Sequence, residues 1–139
     1  MAKEKKDRGL YVRSGIISKP KRIKQQTSKE ADIKSHLSAI KNEIRLDAIQ
    51  SNEYFCKGCG HTGVLDCSHI LSVGKYKHLE LVKENIQLLC RHCHLIWESG
   101  SIDKQLNLHC FNDNLIFISN QDILAYNKFN TRVEDYLVI

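Results

Sequence analysis

The chain has 139 residues, of which 42% are hydrophobic and 27% charged, and its formal net charge is +5. This length accommodates one small globular domain with appendages rather than two full domains. No apolar run approaches the roughly 20 residues of a membrane span, and the N-terminus lacks the apolar stretch of a secretory signal, so we expect neither a membrane protein nor a secreted disulfide scaffold.

The positive charge is concentrated in an N-terminal arm. Residues 1–30 hold ten Lys or Arg against three acidic residues, a net +7, whereas residues 31–139 hold eleven against thirteen, a net −2. Residues 1–27 show no sustained apolar period, which predicts a basic arm that is disordered when free. Such an arm on a nearly neutral body is typical of nucleic-acid binding, although a solubilising tail has the same composition. The cations of the arm expected to contact phosphates are Lys19, Lys21, Arg22 and Lys24.

Residues 28–50 are predicted to form an amphipathic helix. Thr27 or Ser28 can cap its N-terminus, and Glu30 favours the positive end of the helix dipole. Apolar residues recur at three- and four-residue steps, which predicts one stripe packed on a core or a partner, with a short coiled-coil dimer as the alternative. The stripe consists of Ile33, Leu37, Ile40, Ile44 and Ala48.

The segment 51–100 is predicted to hold two strands and a helix. Val64–Ile70 and Ile86–Leu89 are short runs with β propensity. Arg91–Glu98 contains no helix breaker and is followed by Ser-Gly, which is typical of the end of a helix. The predicted order is therefore strand, long loop, strand, helix.

Residues 101–139 are predicted to extend the same domain. The run Leu115–Ile118 is interpreted as a strand, and a helix capped by Ser119 or Asn120 is expected to continue to Tyr136. Four residues of that helix would share one face: Tyr126, Phe129, Val133 and Leu137. The fold class expected for the chain is therefore α+β.

Two Cys-x-x-Cys motifs enclose the middle of the chain. Cys56 and Cys59 form the first motif, and Cys90 and Cys93 form the second, thirty residues later. Each motif places two thiolates on one edge of a tight turn, and two such edges complete the tetrahedron that zinc prefers. A redox pair or simple buried thiols are the alternatives. A structural Zn²⁺ on these four cysteines would also supply folding free energy to a domain with few aromatic residues.

Three polar residues fall in register with these motifs: His69, Asn85 and His94. His69 lies in a Ser-His-Ile triplet between the motifs, Asn85 begins the run that leads into the second motif, and His94 directly follows that motif. The pattern resembles the HNH endonucleases, the zinc-knuckle branch of the ββα-metal nucleases, and in particular small phage-type HNH proteins. The resemblance covers about residues 54–100 and includes the Trp-Glu-Ser-Gly ending at 97–100.

The resemblance implies a ββα-metal core held together by zinc, in a metal-dependent enzyme that hydrolyses DNA. It implies that His69 is the general base for water, that Asn85 holds His69 in orientation, and that His94 ligates a catalytic divalent ion. That ion would be Mg²⁺ or Mn²⁺, with Ni²⁺ or Zn²⁺ as alternatives, and cleavage would leave 5′-phosphate and 3′-hydroxyl ends. The implied source is phage, and the implied location is the cytoplasm of a bacterial host.

The chain departs from the family at one metal-ligand position. The residue before the base is usually His or Asp, but here it is Ser68, a weaker ligand for a divalent cation. Glu98 lies four residues after His94, on the same face of the predicted helix, and its oxygens suit Mg²⁺ or Mn²⁺. We therefore expect His94, Glu98 and Ser68 to form the catalytic metal site, with Asp66 as a further candidate.

Three cations near these residues are candidates for contact with DNA. Lys75 and Lys77 lie in the loop after His69, and Arg91 opens the predicted helix. Two other functions stay open: a zinc-containing DNA-binding module without catalysis, and a structural or packaging accessory protein of a phage particle that docks a protein partner. The sequence does not specify the oligomeric state.

Overall fold

The computed structural model describes residues 12–13, 16–17 and 23–138. In this part of the chain the fold is α+β and mostly helical, with two small antiparallel sheets. The elements in chain order are β1 (Val12–Arg13), β2 (Ile16–Ile17), α1 (Ser28–Gln50), β3 (Asp66–His69), β4 (Ile86–Leu89), α2 (Arg91–Ser99), α3 (Ile102–Leu106), α4 (Phe111–Gln121) and α5 (Ile123–Leu137). None of the helices in the described ranges is long and apolar enough to cross a membrane.

The helix predicted at 28–50 is confirmed as α1. Thr27 caps it: the Thr27 hydroxyl accepts from the Glu30 N–H at 3.2 Å, and the Glu30 carboxylate accepts from the Thr27 N–H at 3.0 Å. The end of the apolar stripe joins the core, where Ala48 is buried. Lys83 links this end of α1 to the β3–β4 loop, because its ammonium group donates to the carboxylates of Glu43 and Asp47 at 3.1 and 2.6 Å.

The order strand, loop, strand, helix is confirmed for the central segment. β3 and β4 pair antiparallel, with Asp66 opposite Leu89 and His69 opposite Ile86. The predicted first strand is too long at its start, since Val64 precedes β3 and is 90% exposed. The loop between the strands contains two 3₁₀ turns, Lys77–Leu79 and Lys83–Asn85.

The predicted strand at Leu115–Ile118 is wrong, because these residues lie inside helix α4. The burial follows a helical period: Phe111, Asn114 and Ile118 are buried, whereas Ile116 is 61% exposed. The C-terminal extension therefore contains three helices, α3 to α5, instead of a strand and a helix.

Helix α5 begins later than predicted. Its cap is Asp122, not Ser119 or Asn120, and the Asp122 carboxylate accepts from the backbone N–H groups at 124 and 125. The face predicted for this helix packs on the core through Tyr126, Phe129 and Val133. Leu137, which was expected on the same face, is 69% exposed.

Trp97 joins the central segment to the C-terminal helices. Its indole N–H donates to the carbonyl oxygen of Ile70 at 3.0 Å. Its ring stacks on Phe129 of α5 at 5.7 Å between centroids, and meets Phe111 of α4 edge-on at 6.5 Å. Trp97 thus links helix α5 to the chain at the end of β3.

The N-terminal arm contains secondary structure that the sequence did not indicate. Val12–Arg13 and Ile16–Ile17 pair as a short antiparallel sheet within the arm interpreted as disordered. Of the four arm cations expected to contact phosphates, Lys24 is exposed. The other three, Lys19, Lys21 and Arg22, lie outside the described residues.

Candidate functional site

The four motif cysteines come together at one point. Their sulfur atoms all lie within 4.8 Å of one another, and the Sγ atoms of Cys59 and Cys90 are 3.8 Å apart. Four sulfurs placed tetrahedrally around zinc, each at about 2.3 Å, would be about 3.8 Å apart, so the spacing suits this ion. The cluster could therefore hold a structural metal such as zinc.

The backbone favours negative charge on Cys56, one of the four cysteines of the cluster. The N–H groups of Cys90 and Gly58 donate to the Sγ atom of Cys56 at 3.2 and 3.3 Å. Burial raises the pKa of Cys56, but the backbone donors from Cys90, Cys59 and Gly58 outweigh burial and bring the pKa down from 9.0 to about 7. The thiolate is the form that binds metal, so this thiol is close to its ligand state at neutral pH.

Gly58 allows the two cysteine motifs to approach closely. A Cβ atom at this position would lie 2.9 Å from both the Cβ and the Sγ atoms of Cys93, closer than side chains tolerate. The first motif is also linked to the sheet, because the Lys57 N–H donates to the carbonyl oxygen of Leu88 at 2.9 Å. The cysteine cluster thus joins the start of α2 to the turn that precedes β3.

His69 lies at the end of β3 with its ring held by the backbone of the β3–β4 loop. Its Nε2 atom is 3.0 Å from the carbonyl oxygen of Glu80. A carbonyl oxygen only accepts hydrogen bonds, so Nε2 carries the proton and Nδ1 keeps its lone pair. The side chain is partly buried and borders a groove described below.

Asn85 makes no hydrogen bond to the ring of His69 and bonds instead to the backbone of the neighbouring loop. Its side chain is fully buried and bonds to backbone: Oδ1 accepts from the Leu71 N–H at 2.8 Å, and Nδ2 donates to the carbonyl oxygens of Leu71 and Leu79 at 3.0 and 3.3 Å. The backbone of Asn85 also accepts from the Ile70 N–H at 2.8 Å. Asn85 therefore fixes the chain on both sides of the loop that presents the Glu80 carbonyl to His69.

His94, in the first turn of α2, lies between two carboxylates. Its Nδ1 atom is 3.0 Å from Asp66 Oδ2, and its Nε2 atom is 2.8 Å from Glu98 Oε1. Asp66 also receives the guanidinium group of Arg91 at 3.2 Å. Since a nitrogen that binds a cation cannot also donate a hydrogen bond, His94 would have to release one carboxylate to ligate a metal.

The predicted catalytic metal ligands do not close around one point. Among the described residues, the four cysteines alone form a compact group of three or more His, Cys, Asp or Glu side chains. Ser68 is 1% exposed, and its hydroxyl has no hydrogen-bond partner in the described part of the chain. The ligand set predicted for a catalytic ion is therefore not assembled in this arrangement of His94, Glu98 and Ser68.

A groove of about 660 Å³ lies between the end of β3, the last turn of α2 and helix α5. Of the predicted catalytic residues, His69 and Glu98 line this groove, whereas His94 does not. A second hollow of about 820 Å³ shares Lys75, Lys128 and Arg132 with the first, so the two hollows are continuous along α5. The candidate base and one candidate metal ligand thus face the same open space.

The three cations of the central segment that were predicted to contact DNA have different surroundings. Lys75 lines the groove, whereas Lys77 is exposed on a 3₁₀ turn outside it. Arg91 is paired with Asp66. Two cations that the sequence did not single out, Lys128 and Arg132, line both hollows from α5. Only their four-residue spacing on a helix could have indicated a shared face.

Compared with protein-family models, with curated proteins and with solved structures, the chain matches none of them.

Proposed function

We propose that the protein is a metal-dependent endonuclease of the HNH type that hydrolyses phosphodiester bonds in DNA. The observation that carries the proposal is the pair His69 and Glu98, which face one groove from two neighbouring elements. His69 ends β3 and Glu98 lies in the last turn of α2, so the ββα arrangement brings a base and a carboxylate together. The cysteine cluster at the other end of α2 holds that arrangement in place.

His69 would act as the general base. Its Nε2 proton is committed to the Glu80 carbonyl, which leaves the Nδ1 lone pair to accept a proton from water. The bond to a backbone carbonyl also favours the imidazolium that forms when the proton is transferred, because the developing charge strengthens that hydrogen bond. Proton transfer from water would generate the nucleophile that attacks the phosphorus atom.

His94 and Glu98 would hold the catalytic divalent ion, with Asp66 in a supporting role. Glu98 lines the groove and lies beside Nε2 of His94, so this nitrogen and the Glu98 carboxylate would ligate the ion, while Nδ1–H would donate to Asp66. A carboxylate behind a metal-bound histidine fixes the ring orientation and raises its basicity. A divalent cation there would polarise the phosphate and offset the charge on the leaving 3′ oxygen. Ser68 is buried on β3, the strand that also carries Asp66, and stays a candidate for a further oxygen ligand.

The test is cleavage of supercoiled plasmid DNA with Mg²⁺, Mn²⁺ or Ni²⁺, using wild type, His69→Ala and His92→Ala. His92 is an exposed histidine of the same region and serves as the matched control. We expect nicked or linear DNA from wild type and His92→Ala, and a rate about 10²–10⁴-fold lower for His69→Ala. Equal rates for the two variants would refute the role of His69.

A gel-shift experiment with the same proteins separates the alternatives. Binding of DNA without cleavage in any of the three metals would favour a DNA-binding zinc module. The observation that supports this alternative is Ser68, a weak metal ligand at a position where the HNH family usually has His or Asp. Neither binding nor cleavage would favour an accessory protein that docks a protein partner.

A further inference from the structure

We propose that helix α5 is a DNA-binding element that holds the strand beside the scissile phosphate, through Lys128 and Arg132 together with Lys75. That the ligand is DNA rests on the proposed function. The arrangement of the cations rests on the structure alone: all three line the groove that His69 borders, and all three line its continuation.

Among the described residues the groove cations have no carboxylate partner, and the two that lie over aromatic rings, Lys75 over Tyr76 at 5.4 Å and Arg132 over Phe129 at 5.5 Å, keep N–H groups for an external anion. In the described ranges, Lys75, Lys128 and Arg132 take part in no salt bridge, whereas Lys57, Lys83 and Arg91 are each paired with a carboxylate of the chain. Lys128 and Arg132 are exposed. Unpaired cations gathered at one groove repel one another, and the phosphates of a nucleic-acid backbone would relieve that repulsion.

The carboxylates near the groove are already occupied. Asp122 accepts from the Tyr76 hydroxyl at 2.6 Å through Oδ2, and from the N–H groups of Leu124 and Ala125 through Oδ1. Glu98 accepts from His94. Three cations (Lys75, Lys128 and Arg132) and these two carboxylates line the two hollows, a net charge of +1, so an anionic ligand is favoured over a cationic one.

One face of α5 both anchors the helix and presents the charges. Ala125, Lys128, Phe129 and Arg132 follow the spacing of a single helical face, and all four line the groove. Phe129 stacks on the buried Trp97, whose carbonyl partner Ile70 directly follows His69. Because the anchor lies between the two cations, packing fixes the helical turn from which both side chains reach the groove.

The helix geometry suits contact with successive backbone positions. Lys128 and Arg132 are one turn apart, a rise of about 6 Å along the axis. Lys75 faces them from the β3–β4 loop, so a strand in the groove would be contacted from two sides. Such contacts fix the register of the backbone and carry no base specificity, so we infer that α5 positions the substrate irrespective of its sequence.

The test is the salt dependence of DNA binding, measured by fluorescence anisotropy with a labelled duplex and no added Mg²⁺, Mn²⁺ or Ni²⁺, so that no cleavage occurs and no chelator removes zinc from the cysteine cluster. The variant is Lys128→Gln/Arg132→Gln in the full chain, which keeps helix propensity. The matched control is Lys34→Gln/Lys104→Gln, which removes two exposed cations outside the groove. Zinc content and the midpoint of thermal unfolding check that both proteins are folded.

We expect the groove variant to lose about 1.8 from the slope of log affinity against log salt, at about 0.9 per phosphate contact, while the control keeps the wild-type slope. Between about 50 and 200 mM salt, the affinity of wild type would then fall roughly tenfold more than that of the variant. A wild-type slope for the groove variant, or an equal loss for the control, would overturn the proposal. Because the measurement excludes cleavage, a protein that binds through α5 but cuts no DNA would contradict the proposed function alone.

Discussion

The Nε2 atom of His69 lies 3.0 Å from the carbonyl oxygen of Glu80, eleven residues further along the chain. The loop that carries this carbonyl is held by the buried side chain of Asn85, which bonds to the backbone of Leu71 and Leu79. The orientation of the candidate base therefore depends on an asparagine that does not touch it.

Replacement of Asn85 by Ala tests this dependence. The change leaves buried backbone groups of Leu71 and Leu79 without partners, and each unsatisfied group costs about 1–3 kcal/mol of unfolding free energy. We expect a lower midpoint in urea unfolding and a lower plasmid cleavage rate at temperatures where the variant is still folded. Asn114→Ala is the control, since Asn114 is equally buried but bonds to Cys110 in the C-terminal helices. Wild-type cleavage by folded Asn85→Ala would show that His69 needs no such support.

The cysteine cluster predicts that the protein contains bound zinc. We expect one Zn²⁺ per chain by elemental analysis, and unfolding when Cys90→Ser or a strong chelator removes it, because structural zinc contributes on the order of 10 kcal/mol in small domains. Cys67→Ser is the matched control: it removes a partly buried cysteine outside the cluster, where burial raises the pKa of the thiol. Well-folded wild-type protein without zinc would contradict this prediction.

The proposed catalytic ion gives a separate prediction. His94→Ala and Glu98→Ala should each raise the Mn²⁺ concentration needed for half-maximal cleavage, whereas Glu84→Ala, an exposed acid outside the groove, should not. Ser68→Asp should lower that concentration, because a carboxylate is a stronger ligand than a hydroxyl.

Thermal stability provides a second test of the Ser68→Asp variant. Ser68 is 1% exposed, so an unpaired carboxylate at this position is costly, and the thermal midpoint of Ser68→Asp should rise more with added Mn²⁺ than that of wild type. If Glu98→Ala requires no more Mn²⁺ than wild type, Glu98 is a surface acid and the ion binds elsewhere.

The bond between Tyr76 and Asp122 predicts a pH-dependent stability. The Tyr76 hydroxyl lowers the pKa of Asp122, and this bond to the carboxylate raises the pKa of Tyr76 to about 12. The stabilisation is thus complete between pH 3.8, the ordinary aspartate pKa, and pH 10.0, the ordinary tyrosine pKa. It is lost in acid as the pH falls through the lowered pKa of Asp122, and in base as the pH rises through the raised pKa of Tyr76. Tyr76→Phe should lower the thermal midpoint within this window, and the difference from wild type should shrink in acid. Tyr54→Phe, a partly buried tyrosine, should leave the midpoint unchanged at every pH.

Local signals in the sequence predicted the central elements well. The cap at Thr27 and the glycine after Ser99 mark helix ends by local hydrogen bonding and backbone freedom, so α1 and α2 were found with nearly correct bounds. The strand predicted at Leu115–Ile118 was wrong because four consecutive apolar residues suit either a buried strand or a buried helix. The apolar spacing of Phe111, Leu115 and Ile118, at steps of four and three residues, was the signal that favours the helix.

The groove could not be predicted from the sequence in the same way. Lys128 and Arg132 look like ordinary solvated cations of a surface helix, and their approach to His69 results from the stacking of Phe129 on Trp97. That contact joins residues 32 positions apart, and no local pattern specifies it. Asn85 was identified by its register with the cysteine motifs, but the partners of its side chain depend on the path of a loop.

The cysteine cluster has a consequence for how the chain folds. The two motifs lie at the ends of a thirty-residue stretch, and β3, both 3₁₀ turns and β4 lie between them. Closing a loop of this length costs chain entropy before any strand pairing is gained. If a metal ion binds both motifs early in folding, it closes this loop before the strands pair. The entropy cost of pairing β3 with β4 is then smaller, and the folding barrier is lower. The refolding rate of the protein should therefore depend on the zinc concentration.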